Sequence, residues 1–210
     1  MTTTLNGTRV EELLLQSLEH EMGGVKVYEA ALGCAIHASL KEEWEGYLEE
    51  TRTHVAALEK ACRALDIDVA KETPGRMIVR ELGASLVDAI ETASEAGDAA
   101  GAELIACECI VLAETKDHLD WTLLNRVAAT MPGDPGELLR SLTLKVEDQE
   151  DEHLYHTRGW CRELWISALG LPAVLPPLEE RRKVRTAIGA AHAESASELA
   201  RLEAQLGEPS

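Results

Sequence analysis

The amino-acid sequence predicts an all-α fold: a four-helix bundle, made of two antiparallel hairpins joined by a helical crossover, plus a C-terminal helix. Three observations predict it. The composition favours helices, being rich in Leu, Ala, Glu and Arg, with only 3% aromatic residues and no Phe. Gly and Pro divide the chain into long segments, within which apolar residues recur at steps of three and four. The apolar fraction of 45% is enough for a buried core.

The breaker residues give the order and bounds of the elements. Long helices are predicted over about 7–35, 39–66, 99–129 and 136–169, with a crossover helix over 77–93 and a polar helix over 178–206. Short turns make each pair of long helices antiparallel neighbours. We expect residues 1–170 to form the bundle and residues 171–210 to form a linker and an accessory helix. That last helix packs outside the bundle or contacts a second subunit of a homo-oligomer.

The net charge and the cysteine content indicate which partners and which cellular location to expect. The formal net charge of −18 disfavours nucleic acid or an anionic membrane as a partner, because both repel an acidic surface. The five cysteines are odd in number and include no CxxC pair, which is typical of reduced thiols in a cytosolic protein. The sequence shows neither a signal peptide nor an apolar stretch long enough for a membrane span. We therefore expect a cytoplasmic location.

In each long helix the apolar face is interrupted by polar residues near its middle. Apolar residues flank each interruption, so these side chains are predicted to face the bundle interior. Counted from the two hairpin turns, the interruptions lie within about two helical turns of one height. The interrupting residues, in chain order, are Glu21, Glu50, His54, Glu114, His118, Glu150 and His153.

Such a layer predicts a metal site. A buried ionised carboxylate costs several kcal/mol when nothing compensates it. Divalent cations compensate carboxylates, and they also accept neutral imidazoles as ligands. A weak internal echo suggests two related halves: Glu21 is followed seven residues later by Tyr28, and Glu114 by Trp121. A second echo relates the segment from Glu50 to His54 with residues 114–118.

Over residues 8–169 the chain resembles the ferritin-like superfamily, which includes ferritins, bacterioferritins and rubrerythrins. The segment Glu150-Asp-Glu-His153 matches the Glu-x-x-His motif of the fourth helix in that family. Glu21 matches its first-helix Glu, and Glu114 matches its third-helix acid. The pair Glu50 and His54 departs from the family spacing by one residue, and its Glu-Thr-x-x-His segment is closest to bacterial stress-related ferritin-like proteins.

This resemblance implies two iron ions and a reaction with oxygen or peroxide. Glu50, Glu114 and Glu150 would bind or bridge the ions, and Glu21 would complete one side. The imidazoles of His54, His153 and His118 would supply nitrogen ligands. Tyr28 stands where ferritins often place a Tyr beside the iron, and would relay an electron as a catalytic residue.

Two other hypotheses stay open. One is a dinuclear manganese enzyme, since the same donors bind Mn. The other is a helical scaffold or assembly protein whose buried polar layer is only hydrogen-bonded, because a core histidine is often satisfied without a metal. Metal content and reaction with oxygen or peroxide distinguish the three.

Overall fold

The computed structural model describes residues 5–206, with side chains to residue 203, so residues 1–4 and 207–210 of the two predicted domains lie outside it. The described chain is all-α, as predicted. Within residues 5–206, no helix has the continuous apolar length that crossing a membrane requires. The helices are α1 (Gly7–Leu32), α2 (Ala38–Ala64), α3 (Pro74–Glu95), α4 (Ala99–Thr130), α5 (Gly133–Ala168), α6 (Leu178–Arg181) and α7 (Ala187–Leu206).

Side-chain capping explains where α1 and α3 begin. The Asn6 side chain accepts a hydrogen bond from the amide of Arg9 at 3.2 Å and caps α1. Thr73 caps α3 in the same way, with Pro74 at the first helical position, so this helix begins three residues before the predicted start at 77.

The predicted C-terminal helix over 178–206 is wrong in one respect, because the structure divides it into α6 and α7. Lys183 has a φ of 50° between them, and this left-handed residue ends the helical path. Val184 follows it and is buried in a small apolar cluster with Leu154 and Tyr155 of α5. The packing of Val184 therefore accompanies the interruption between α6 and α7, which the helix propensity of these residues does not indicate.

The long helices form a closed ring around one interior. α1 packs against α2 and α4, and α5 packs against α2 and α4, so the four helices enclose a common core. α3 covers α1 and α4, while α6 and α7 pack against α5. Two apolar clusters fill the two ends of the ring, one around Tyr28 and Trp44 and the other around Leu14 and Leu124. The polar residues lie between these clusters.

Candidate metal centre

Two groups of buried side chains meet in the polar layer, and each has ligand atoms within 4.8 Å of one another. The first group contains Glu21 of α1, His54 of α2 and Glu150 of α5. The second contains Glu114 of α4 together with Glu150 and His153 of α5. Glu150 belongs to both groups, so its carboxylate lies between the two histidines. The arrangement has the connectivity of a two-ion site with one shared carboxylate.

Both imidazole rings present the same nitrogen to the carboxylates. Nδ1 of His54 lies 3.0 Å from Oε1 of Glu150 and 3.4 Å from Oε1 of Glu21. Nδ1 of His153 lies 3.6 Å from Oε2 of Glu114 and 3.8 Å from Oε1 of Glu150. Neither Nδ1 atom has a hydrogen-bond partner of acceptable geometry. Each ring therefore directs one unsatisfied nitrogen into the layer.

The opposite nitrogen of each ring is held by a residue outside the two groups. Nε2 of His54 lies 3.1 Å from Oε1 of Gln149, and Nε2 of His153 lies 2.7 Å from Oε2 of Glu50. An amide oxygen and a carboxylate oxygen can only accept, so both Nε2 atoms donate. In the neutral rings the lone pair is then on Nδ1, which is how a metal-binding histidine is oriented by its outer partner.

The two outer carboxylates are each fixed through one oxygen. Trp121 Nε1 donates to Oε1 of Glu21 at 2.7 Å, and the Tyr28 hydroxyl donates to Oε1 of Glu114 at 2.8 Å. The second oxygen of each carboxylate is buried without a partner, as are both oxygens of Glu150. A buried carboxylate oxygen without a donor is costly. A cation bound between the ligand atoms of each group would satisfy these oxygens of Glu21, Glu114 and Glu150.

Reciprocal contacts relate the two halves of the site. Tyr28 lies seven residues after Glu21 but binds Glu114, whereas Trp121 lies seven residues after Glu114 but binds Glu21. The residues that hold the two histidines are exchanged between the halves in the same way. Each of them lies four residues before one histidine and contacts the other histidine. Gln149 thus precedes His153 and binds His54, and Glu50 precedes His54 and binds His153. The predicted seven-residue echo therefore corresponds to equivalent contacts in the structure. A pseudo-two-fold arrangement relates the half of the site on α1 and α2 to the half on α4 and α5.

The pseudo-symmetry fails at Thr51. Glu150 lies three residues before His153, and the equivalent residue three before His54 is Thr51. The Thr51 hydroxyl donates to the carbonyl of Tyr47 within its own helix at 2.8 Å, so it offers no ligand to the layer. Helix α2 consequently supplies one donor to the two groups, whereas α5 supplies two.

The structure places the sequence-predicted residues unequally. It brings together Glu21, His54, Glu114, Glu150 and His153, all of them buried. The side chain of Glu50 is 39% exposed and contacts His153 from outside the two groups. His118 lies apart from them, because its Nδ1 faces Asp151 at 3.1 Å and its side chain is 34% exposed. Tyr28 contacts the layer through Glu114.

Asp117 is the acid that the sequence interpretation missed. It lies one helical step of three after Glu114, is 5% exposed, and has a buried unpartnered Oδ1. Burial, followed by the charges of Glu150, Glu21 and Glu114, raises its pKa well above the usual value. A helix face that runs from Glu114 to Trp121 can pass through either residue 117 or His118, since both paths use one step of three and one of four. The apolar residues around them do not decide between the two.

One side of the layer is connected to the C-terminal segment. The ring centroids of Tyr47 and His153 lie 4.1 Å apart, and the Tyr47 hydroxyl lies 3.1 Å from Nδ1 of His156. Nε2 of His156 donates to the Val184 carbonyl at 3.1 Å. Because a carbonyl only accepts, this contact fixes the proton on Nε2. The segment between α6 and α7 therefore takes part in orienting the ring packed against His153.

The donor set suits divalent cations. The two groups together offer three carboxylates, of Glu21, Glu114 and Glu150, and the imidazoles of His54 and His153. Carboxylate oxygens and neutral imidazole nitrogens are the ligands that Fe and Mn take in bundle interiors. Comparison of the chain with models of known protein families, with curated proteins and with solved structures gives no match.

Proposed function

We propose that this chain is a dinuclear metal-carboxylate protein of the ferritin-like type, that its two ions are iron, and that it reacts with oxygen or peroxide. The observation that supports the proposal best is the orientation of the two histidines. Each imidazole has an outer hydrogen-bond acceptor at Nε2 and an unsatisfied Nδ1 beside the shared carboxylate of Glu150. Outer acceptors of this kind hold a ligand imidazole in the tautomer that binds metal.

Five residues would hold the ions. Glu21 and His54 would bind one ion, Glu114 and His153 the other, and Glu150 would bridge them. When bound, a pair of iron ions supplies two-electron redox chemistry with oxygen or peroxide. The chain itself provides a buried layer between two apolar clusters, which limits the access of water.

Four side chains would act on these ligands from outside. Glu50 and Gln149 hold the two imidazoles, and Trp121 holds one oxygen of Glu21. Tyr28 is the candidate redox residue, because its hydroxyl donates directly to Glu114. Burial of the ring, followed by the charge of Glu114, raises the pKa of Tyr28 well above its usual value, so its phenol stays protonated.

Manganese is the first alternative, because mixed carboxylate and imidazole donors bind both metals. A functional difference separates them. Iron predicts oxygen uptake after anaerobic loading with Fe(II), whereas a manganese enzyme predicts disproportionation of peroxide after loading with Mn(II). Parallel assays on one metal-free preparation decide between the two.

A hydrogen-bonded polar layer in a non-catalytic scaffold is the second alternative, and a specific observation favours it. Burial lowers the pKa of His54, but Glu150 and Glu21 outweigh burial and raise it to about 11. In the same way Glu114 and Glu50 raise the pKa of His153 to about 10. Two imidazolium ions would compensate two of the buried carboxylates without any metal.

Metal analysis of untagged protein tests the proposal. We expect two ions per chain, and a loss of both in the double variant Glu150→Ala, His153→Ala, because Glu150 belongs to both groups and His153 to one of them. The matched control is Glu147→Ala, His118→Ala, which removes the same residue types outside the groups. Fewer than one ion per chain in the natural protein, or equal losses in both variants, would favour the polar layer.

A further inference from the structure

A pair of thiols lies outside the polar layer, at the interface of α4 and α5. All five cysteines are unpaired as disulfides. Cys107 of α4 is fully buried, and its thiol donates to the carbonyl of Thr157 on α5 at 3.6 Å. Cys161 is half-buried and lies four residues after Thr157 on the same helix. The two cysteines are therefore within one helical turn of each other across the interface.

Helix geometry brings the two sulfur atoms together. A helical side chain points back towards the turn that precedes it, so the thiol of Cys161 lies over the turn that contains Thr157. That is the turn contacted by Cys107. The Cys107 thiol accordingly interacts with the Cys161 side chain, and this contact lowers the pKa of Cys161. Burial raises the pKa of Cys107 well above its usual value.

Cys161 also has access to a cavity. A space of about 450 Å³ lies between α5 and α7, with Cys161, Tyr155, Arg158 and Trp165 on one wall and Ala190 and Ala191 on another. This volume accommodates a small molecule. Cys107 does not line the cavity, so the two thiols differ in access: one is open to a reagent and the other is held behind it.

We propose that Cys161 and Cys107 form a peroxide-reactive dithiol, in which Cys161 is oxidised first and Cys107 then closes a disulfide between α5 and α4. The substrate class is a hydroperoxide that enters the cavity between α5 and α7. This activity is separate from the metal layer, because Cys107 lies two helical turns before Glu114 and Cys161 two turns after His153.

Two balanced steps make up the reaction. The Cys161 thiolate attacks one peroxide oxygen; an S–O bond forms, the O–O bond breaks, and the leaving alkoxide or hydroxide takes up a proton. The Cys161 sulfur loses two electrons to become a sulfenic acid. The Cys107 sulfur then attacks the Cys161 sulfur, an S–S bond forms, and the hydroxyl leaves with the Cys107 proton as water.

The test uses the full chain, both as purified and after treatment with a chelator, so that metal-dependent oxidation is recognised. Hydrogen peroxide and tert-butyl hydroperoxide are the two probes, each at equimolar amount. We expect two of the five thiols to be lost and the mass to fall by about 2 Da, in the chelated protein as well. Trypsin should release the peptide of residues 159–162 linked to that of residues 81–116.

Cys109 is the matched control, because it lies on the same tryptic peptide as Cys107 but two residues away on another helix face. Cys109→Ser should keep the linked peptide, and Cys107→Ser should lose it and accumulate a sulfenic acid at Cys161 that dimedone traps. Fragmentation of the linked natural peptide assigns the sulfur even where Cys107→Ser does not fold. Retention of all five thiols with both probes, or a link through Cys109, would overturn the proposal.

Discussion

Glu150→Gln is the substitution that separates the metal centre most sharply from a structural polar layer. The side chain is 1% exposed, belongs to both groups of ligands, and has no hydrogen-bond donor at either oxygen. Glutamine keeps the size of the side chain and removes its charge. If the layer binds two ions through this carboxylate, the variant loses stabilisation by metal while its bundle remains folded.

The size of the effect follows from linkage. Each ion at a free concentration of about 100 times its dissociation constant stabilises the folded chain by about 2.7 kcal/mol. For a chain of 210 residues, 1 kcal/mol corresponds to a change in Tm of roughly 2–4 °C. Two ions should therefore raise the Tm of the natural protein by roughly 10–20 °C.

Differential scanning calorimetry of metal-free protein, with and without Mn(II), provides the assay, because Mn(II) is stable in air. We expect Glu150→Gln to reduce the metal-dependent rise in Tm to less than about 2 °C. The control is Glu147→Gln, the same substitution one turn earlier on α5, where an exposed carboxylate accepts from Asn125. Equal rises in the natural protein and in Glu150→Gln would refute the shared-carboxylate assignment.

The remaining predictions concern residues around the layer. His118→Ala should leave the metal content unchanged, because this ring faces Asp151; a loss of one ion per chain by elemental analysis would contradict that. Tyr28→Phe should keep the metal content but slow oxygen or peroxide consumption, since it removes the hydroxyl bound to Glu114; unchanged rates in an oxygen electrode would exclude the redox role. Two arginine side chains lower the pKa of buried Glu19 below 4.5, so Glu19→Gln should destabilise metal-free protein above pH 4.5, by a difference that disappears as the pH falls further. Urea unfolding of both proteins across pH 3–7 measures that difference, and a difference that grows towards low pH would reverse the assigned sign.

Periodicity and the positions of Gly and Pro were sufficient to predict the all-α class, the four long helices and the crossover helix, because each has an apolar face between clear breaker residues. They were insufficient for the C-terminal segment, where helix propensity continues through residues 182–186. The break there accompanies the burial of Val184 against α5 and the hydrogen bond from His156 to the Val184 carbonyl. Both are tertiary contacts, to which a local sequence pattern is insensitive.

The site shows the same division. Glu21, Glu114, Glu150, His54 and His153 interrupt apolar stripes, and this pattern predicts that they lie in the interior. The sequence pattern predicts His118 in the interior, whereas the structure buries Asp117, because helical steps of three and four are equally regular before Trp121. The partners of the histidines come from neighbouring helices, so their identity depends on how α2 and α5 pack. The pattern of apolar residues along one helix contains no information about contacts between two helices.

The reciprocal contacts give the sequence echo a physical meaning. Tyr28 and Trp121 each lie two turns beyond a carboxylate, and each donates to the carboxylate of the other helix. The second predicted echo, between residues 50–54 and 114–118, is wrong as a structural equivalence. Residues 149–153 are the counterpart of residues 50–54, because Gln149 and Glu50 support opposite histidines.

Anomalous diffraction at the iron and manganese edges tests the central claim most directly. Crystals of protein loaded with either metal should show two peaks in the layer, one beside Nδ1 of His54 and one beside Nδ1 of His153, with Glu150 between them. The absence of any peak in the layer at saturating metal, with Nδ1 of both rings bound only to carboxylates, would contradict the account.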